Sequence, residues 1–279
     1  MTKTLVQPGD PRSAVVTGAA RGIGRAIAAE LVGRGYQVVV TDLDAESAKV
    51  TAGEIGAPLG LGLDVTDPAE TRGVAEEARI LAPLGAWVCN AGVGFDGDLS
   101  DLTEAQIHTL VDVNILGVVW GTRVATEVFR QQAVAGTKGG DIGVTASLSS
   151  HGPVPGLSLY AATKAAALSL VTSLSVELKR EKIRVHAICP DGVDTQMVRE
   201  METGGQAQSL VASGTFFQPE QVARELVSMF GTRRVYRTMP VYRGIQQRIT
   251  ALAPGPTMRL EPVLRRIGRR KIKAGRFPA

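Results

Sequence analysis

The chain has 279 residues, of which 44% are hydrophobic and 21% charged, with a net charge of +4. That much apolar material supports a sizeable core and excludes disordered and fibrous classes. Aromatic residues make up only 4%, too few for a base-stacking platform. The basic excess is local: residues 259–279 hold eight Lys or Arg and one Glu, so the rest of the chain is slightly acidic. No basic stripe of the kind that nucleic acid requires runs through it. Cys89 and Cys189 lie in apolar runs, and His108, His151 and His186 are scattered; none of these has metal-ligand spacing, so no metal is expected. The first residues lack the apolar stretch of a signal peptide, and no run reads as a membrane span, which together predict a cytoplasmic protein without a transmembrane segment.

From Ser13 onward, short β-branched runs alternate with longer amphipathic ones. This is the rhythm of βαβ units and predicts a doubly wound α/β fold, a parallel sheet of about seven strands with helices on both faces. In chain order the strands read as "SAVVT" (13–17), "QVVVTD" (37–42), "LGLGLDV" (59–65), "AWVCN" (86–90), "DIGVTA" (141–146) and "RVHAIC" (184–189), with a weaker one at "VYRTMP" (235–240). Helices are predicted over 22–34, 69–81, 103–132 and 158–180. One domain over residues 1–241 is the economical division. Within it, the polar, Gly-containing segment 193–217 is long for a connection and suits a lid over a site, or else an ordinary surface excursion. Residues 242–279 read as a C-terminal helical extension broken by Pro254, Pro256 and Pro262 and ending in the basic tail. That tail is either solvated chain or a contact for a membrane surface or an acidic partner.

The run "AVVTGAARGIGRAIAAELVGRG" places Gly18, Gly22 and Gly24 between a strand and a helix. Glycines there permit a tight turn and close approach of a diphosphate, and the helix start offers free N–H groups and a positive dipole end. Arg21 and Ile23 belong to the same turn. About 20 residues on, Asp42 ends the next strand, where a carboxylate accepts hydrogen bonds from a ribose and repels a 2′-phosphate. This favours NAD over NADP; Arg21, a cation within the turn, argues the other way.

A second signal lies in "SLYAATKAA", where Tyr160 and Lys164 stand one helical turn apart on the same face. A nearby cation favours tyrosinate, which makes the phenol usable as an acid and base near neutral pH. The glycine turn, "NAG" at Asn90, Ala91 and Gly92, and "YAATK" together resemble the short-chain dehydrogenase/reductase family. The resemblance spans roughly residues 13–195 and implies a single-domain Rossmann fold. It also implies that Asp64 and Val65 lie near the adenine, that Asn114 in "VDVNILG" belongs to a proton relay, and that Ser147, thirteen positions before Tyr160, is the catalytic serine. Two further serines, Ser149 and Ser150, compete on proximity alone. By the same resemblance, Pro190, Val193 and Thr195 serve the cofactor, while Tyr160 and Lys164 are both catalytic and cofactor-binding. The chain departs from the family pattern at Cys89, before Asn90, and at Asp191, which stands after Pro190 where the family has glycine.

With this set, the expected activity is NAD-dependent hydride transfer between a hydrophobic secondary alcohol and its ketone. Tyr160 moves the proton, Ser147 supports the growing alkoxide, and Lys164, helped by the positive nicotinamide, lowers the phenol pKa. Asn114 is expected to hold a water through its backbone carbonyl and to keep its helix distorted. His151, Val154 and Met197 fall on the expected substrate side, although His151 equally suits a loop-backbone contact. A homodimer or homotetramer is implied by the resemblance. The competing readings are a catalytically silent NAD(P)-binding sensor and a membrane-surface or partner-binding module using the basic tail.

Overall fold

The structure, a computed structural model, describes residues 11–193 and 216–259. Seven strands form one parallel sheet: β1 (Ser13–Thr17), β2 (Gln37–Asp42), β3 (Leu59–Gly62), β4 (Leu84–Cys89), β5 (Gly140–Thr145), β6 (Ile183–Pro190) and β7 (Tyr236–Met239), in the order β3-β2-β1-β4-β5-β6-β7. Every residue of β1, β4 and β5 is buried. A sheet covered on both faces has no polar side to alternate with, which is why these strands read as continuous apolar runs. Side chains from one strand enter opposite layers: Val15 and Trp87 join the core on one face, while Ala14, Val16, Ala86 and Val88 join the core on the other.

The helices are α1 (Gly22–Gly33), α2 (Ala45–Ile55), α3 (Pro68–Leu81), α4 (Glu104–Val111), α5 (Gly117–Val134), α6 (Ser158–Glu177), α7 (Pro219–Ser228), α8 (Val241–Leu252) and the short α9 (Pro254–Met258). Local chemistry sets several ends. The Asp44 carboxylate accepts from Glu46 N and Ser47 N to start α2, and that of Asp67 accepts from Ala69 N and Glu70 N to start α3, where Pro68 occupies the first turn.

The continuous helix expected over 103–132 is instead three pieces. After α4 the backbone takes a π-helical turn at Asp112–Leu116 before α5 begins. Such turns arise where an internal group competes with the helical ladder, and here that group is Asn114. The helix expected to reach residue 180 stops at Glu177; a 3-10 turn at Lys179–Glu181 and Lys182 at φ 60° lead the chain into β6. The third strand ends at Gly62 rather than at residue 65, because Asp64 folds back to accept from Thr66 N. α6 is long and apolar enough to cross a membrane by length and composition alone. A core helix passes the same test, and α6 lays Ala167, Leu168 and Val171 into the core.

Strand order reverses between β1 and β4: the chain runs outward to β2 and β3 on one side and to β5, β6 and β7 on the other. The carboxyl ends of the strands on either side of that switch diverge and leave a crevice, the usual ligand position in open α/β sheets.

Candidate active site

At the end of β1 the chain turns through Gly18 at φ 61° and Gly22 at φ 56°, a left-handed region that other residues avoid. A Cβ on Gly24 would stand 2.1 Å from the Gly18 carbonyl oxygen, so the turn closes only with glycine there. Arg21 occupies the N-cap of α1 but gives no side-chain cap, and the first turn holds no acidic residue. Uncapped N–H groups, a positive dipole end and an adjacent exposed guanidinium suit a diphosphate. Ile23 packs beneath the turn against the core. Asp42 closes β2 beside it, and its Oδ2 accepts from Ala20 N at 3.0 Å, which holds the carboxylate at the rim of the glycine turn. Asp42 is not the helix cap; Asp44 is. These residues fit a dinucleotide.

Asn90 is a strut within this end of the sheet. Its Nδ2 donates to the carbonyls of Thr17 and Gly18 at 3.1 and 2.9 Å, while its Oδ1 accepts from Thr145 Oγ1 at 2.9 Å. The Asn90 and Ala91 N–H groups both donate to Thr17 Oγ1 at 3.1 Å. Asp64 binds Thr66 through both its backbone N–H and its hydroxyl, and Val65 packs against Gly117 at the start of α5.

Ser147, Tyr160 and Lys164 converge on the far side of the crevice. Ser147 N-caps a 3-10 turn at Leu148–His151, its Oγ accepting from Ser149 N at 3.2 Å, and its side chain lies near enough to Tyr160 to lower the phenol's pKa. Of the two rival serines, Ser150 Oγ donates to the Lys164 carbonyl at 2.9 Å, and Ser149 Oγ is buried without a hydrogen-bond partner among the described residues. The Lys164 ammonium is 4% exposed, donates to the Thr145 carbonyl at 3.1 Å, and stands 5.8 Å from the Tyr160 ring centre. Gly92 lies beside it. Asn114 is fully buried between α6 and the chain after β4: its Nδ2 donates to Val93 O and Thr163 Oγ1 at 2.9 and 3.1 Å, and its Oδ1 accepts from Val93 N at 2.9 Å. An amide that satisfies neighbouring elements from within a helix explains why the π turn forms there.

Burial pushes the Tyr160 phenol above its ordinary pKa, and the Ser147 side chain pulls it partly back. Burial also drives the Lys164 ammonium down to about 8, with the nearby Cys189 acting weakly in the other direction. The expected lowering of Tyr160 by Lys164 is not seen in this state of the protein, where burial dominates and the opposing influence comes from Ser147. Cys89 and Cys189 are free buried thiols, each pushed up to about 12 by burial.

On the substrate side, His151 is buried, its Nε2 paired with Thr238 Oγ1 at 2.8 Å and its ring 5.9 Å from that of Tyr236. That bond ties it to the side chain of a β7 residue, and His151 also lines a cavity with Val154, Ser158 and Ala161. Val154 is buried with Leu157 and Ala161, and Tyr160 borders that cluster. Pro190 pairs with Met239, and Val193 bridges to Phe217. Thr195, Met197 and most of the expected lid at 193–217 lie outside the described residues. Asp191 is part of an ion pair with Arg243 of α8, at 3.1 Å.

Three threonines were missed by reading the sequence. Thr17 and Thr145 each end a central strand and connect it to Asn90, and Thr163 holds Asn114. The signal was a threonine as the last residue of a buried parallel strand, where a hydroxyl meets the crevice.

The architecture and the glycine turn define a dinucleotide-binding α/β protein. Residues 12–205 match the short chain dehydrogenase family model, and the chain belongs to that family. It is 32% identical over 213 residues to "Carbonyl reductase family member 4" of Xenopus tropicalis, an alignment covering 76% of this chain and 88% of that one. It is 35% identical over 187 residues to "Sorbitol dehydrogenase" of Cereibacter sphaeroides, covering 66% and 72%. Among solved structures it resembles a 3-ketoacyl-(acyl-carrier-protein) reductase from Brucella melitensis complexed with NADH, with a TM-score of 0.72 and 27% identity, covering 82% of this chain and 96% of that one. The chain is thus an oxidoreductase of this family with a nicotinamide cofactor.

Proposed function

We propose that the protein interconverts a secondary alcohol and a ketone of a hydrophobic small molecule with NAD as cofactor, through Ser147, Tyr160 and Lys164 with Asn114 in support. The observation that carries this reading is the convergence of Ser147 and Tyr160 with a buried Lys164 whose ammonium lies 5.8 Å from the Tyr160 ring centre and is held on the Thr145 carbonyl. The nicotinamide cofactor, held at the glycine turn, would supply the hydride in its reduced form and accept it in its oxidised form. In reduction, Tyr160 gives its phenolic proton to the carbonyl oxygen as the carbon receives the hydride, and the tyrosinate regains a proton from solvent. In oxidation, Tyr160 removes the alcohol proton. Ser147 donates a hydrogen bond to the same oxygen, where negative charge grows in the transition state. Lys164, held on the Thr145 carbonyl, stabilises the tyrosinate by its charge. Asn114 keeps the π turn that aligns α4 and α5 with α6.

Asp42 supports NAD over NADP, since a 2′-phosphate at a ribose bound there would face a carboxylate. A homodimer or homotetramer built on α5 and α6, cytoplasmic residence, and the division at residue 241 belong to the same proposal. Relatives named for carbonyl and ketoacyl reduction support the chemistry.

The test is absorbance at the reduced-nicotinamide band across a panel of hydrophobic secondary alcohols and ketones, with NAD and NADP in parallel. Tyr160→Phe should cut turnover by about 100-fold or more while NAD binding persists. Near-normal turnover in that variant removes Tyr160 from the chemistry.

A further inference from the structure

Helix α8 is turned inside out. An ordinary surface helix buries its apolar face and shows its polar one. In α8 the residues facing the protein are polar or small: Arg243 pairs with Asp191, Gly244 is buried against Thr238, and the Gln247 backbone carbonyl lies so close to Gly152 that a Cβ there would be 2.5 Å away. Arg248 covers the Tyr236 ring and donates to its hydroxyl. The residues facing outward are Val241, Tyr242, Ile245, Ile249 and Leu252, between 56% and 87% exposed. At 3.6 residues per turn these five fall within an arc of about 100°, so they form one continuous stripe along the three turns of the helix.

The charge around this stripe is one-sided. From Val241 to Ala279 the sequence holds ten Lys or Arg and a single Glu, while the remainder of the chain is acidic on balance. α8 itself carries no acidic residue. Two copies meeting through α8 would bring two such basic segments together, which like-charge repulsion opposes. An anionic surface with an apolar interior matches both features.

We propose that α8 and the basic segment after it dock the protein onto an anionic lipid surface, with Ile245, Ile249 and Leu252 entering the acyl boundary and the following Lys and Arg residues pairing with headgroups. A single helix with one apolar and one cationic side binds an interface by these two contributions together. α8 packs on the 3-10 turn that follows Ser147, so the docked helix is next to an element of the candidate active site. The docking itself is independent of the hydride chemistry.

The full chain is floated with vesicles of phosphatidylcholine alone and of phosphatidylcholine with phosphatidylglycerol, at low and high salt. Binding is expected to the anionic vesicles and to weaken with salt. The variant Ile249→Gln/Leu252→Gln changes exposed side chains only, so its circular dichroism and melting should match wild type. Its partitioning should fall on the order of 100-fold. A second variant, Arg269→Gln/Arg270→Gln/Lys271→Gln, should also weaken binding to anionic vesicles, without altering the stripe. Equal partitioning of the stripe variant and wild type overturns the proposal. So does an absence of vesicle binding, whether the stripe variant leaves the oligomeric state unchanged or turns a dimer into a monomer. The latter result assigns the stripe to a second copy of the chain.

Discussion

The Arg243 guanidinium donates to the Asp191 carboxylate at 3.1 Å, joining the end of β6 to helix α8, and the Asp191 side chain is wholly shielded from solvent. Asp191 N also donates to Met239 O at 2.7 Å, so the residue that departs from the family pattern is the one that anchors the C-terminal helix. Removing one partner of a buried ion pair costs far more than the pair contributes, because the other charge stays desolvated. Arg243→Met is therefore expected to lower unfolding stability by about 3 kcal/mol. Adding Asp191→Ala to that variant should recover a good part of the loss. A denaturant-based double-mutant cycle measures this; strictly additive losses would show that the two side chains are not coupled.

Lys164 carries an opposite prediction for stability and for turnover. Burial lowers its pKa from 10.5 to about 8, so at neutral pH folding must bury an ammonium. Between about 8 and 10.5 the unfolded chain binds the extra proton at this site, so the Lys164 contribution to stability rises with pH across that window, opposed from about pH 9 by the buried thiols Cys89 and Cys189. Lys164→Met removes this cost along with the hydrogen bond to Thr145 O. The expected net effect is a gain on the order of 1–2 kcal/mol at pH 7, a difference from wild type that shrinks as pH rises from about 8 to 10.5, and loss of turnover. Thermal melts at several pH values, beside the coupled assay, check all three.

His151 sets an acid-side limit. Burial, helped by the Arg248 charge, lowers its pKa from 6.5 to about 4. Below pH 6.5 the unfolded chain takes up a proton that the folded protein refuses, so this contribution to stability is complete above pH 6.5 and falls as pH drops to about 4. The loss is on the order of 2 kcal/mol. His151→Gln should flatten the stability profile in this window; an unchanged acid limb would assign it to other groups.

Asp42→Ala removes both the bond from Ala20 N and the carboxylate at the ribose position. NAD affinity is expected to drop about tenfold, and the gap between NAD and NADP to narrow. Titration of the two cofactors by fluorescence or calorimetry tests it, and an outright wild-type preference for NADP would refute the reading of Asp42.

Local signals were legible before any fold was known. Unbroken β-branched runs marked the buried strands, because a parallel sheet covered on both faces requires apolar residues at every position. The one-turn spacing of Tyr160 and Lys164 survived folding for a similar reason, since helix geometry alone puts them on one face. The 103–132 segment was misread because its periodicity is helical throughout; the π turn comes from the bonds Asn114 makes to Val93 and Thr163, which lie 21 and 49 residues away. Ser147 could be told from Ser149 and Ser150 only by resemblance; in the structure Ser150 is tied to the Lys164 carbonyl, Ser149 is buried, and Ser147 is the serine that influences the Tyr160 phenol.

What the sequence determined by itself is whatever depends on neighbours along the chain: the βαβ rhythm, the glycine turn before α1, and the Tyr160–Lys164 face. Partners distant in sequence were decided only by the tertiary structure. It turned His151 to Thr238, gave Asp191 to Arg243, and aimed the apolar side of α8 away from the core. A helical pattern specifies which residues share a face; which face is buried depends on what the rest of the chain packs against it.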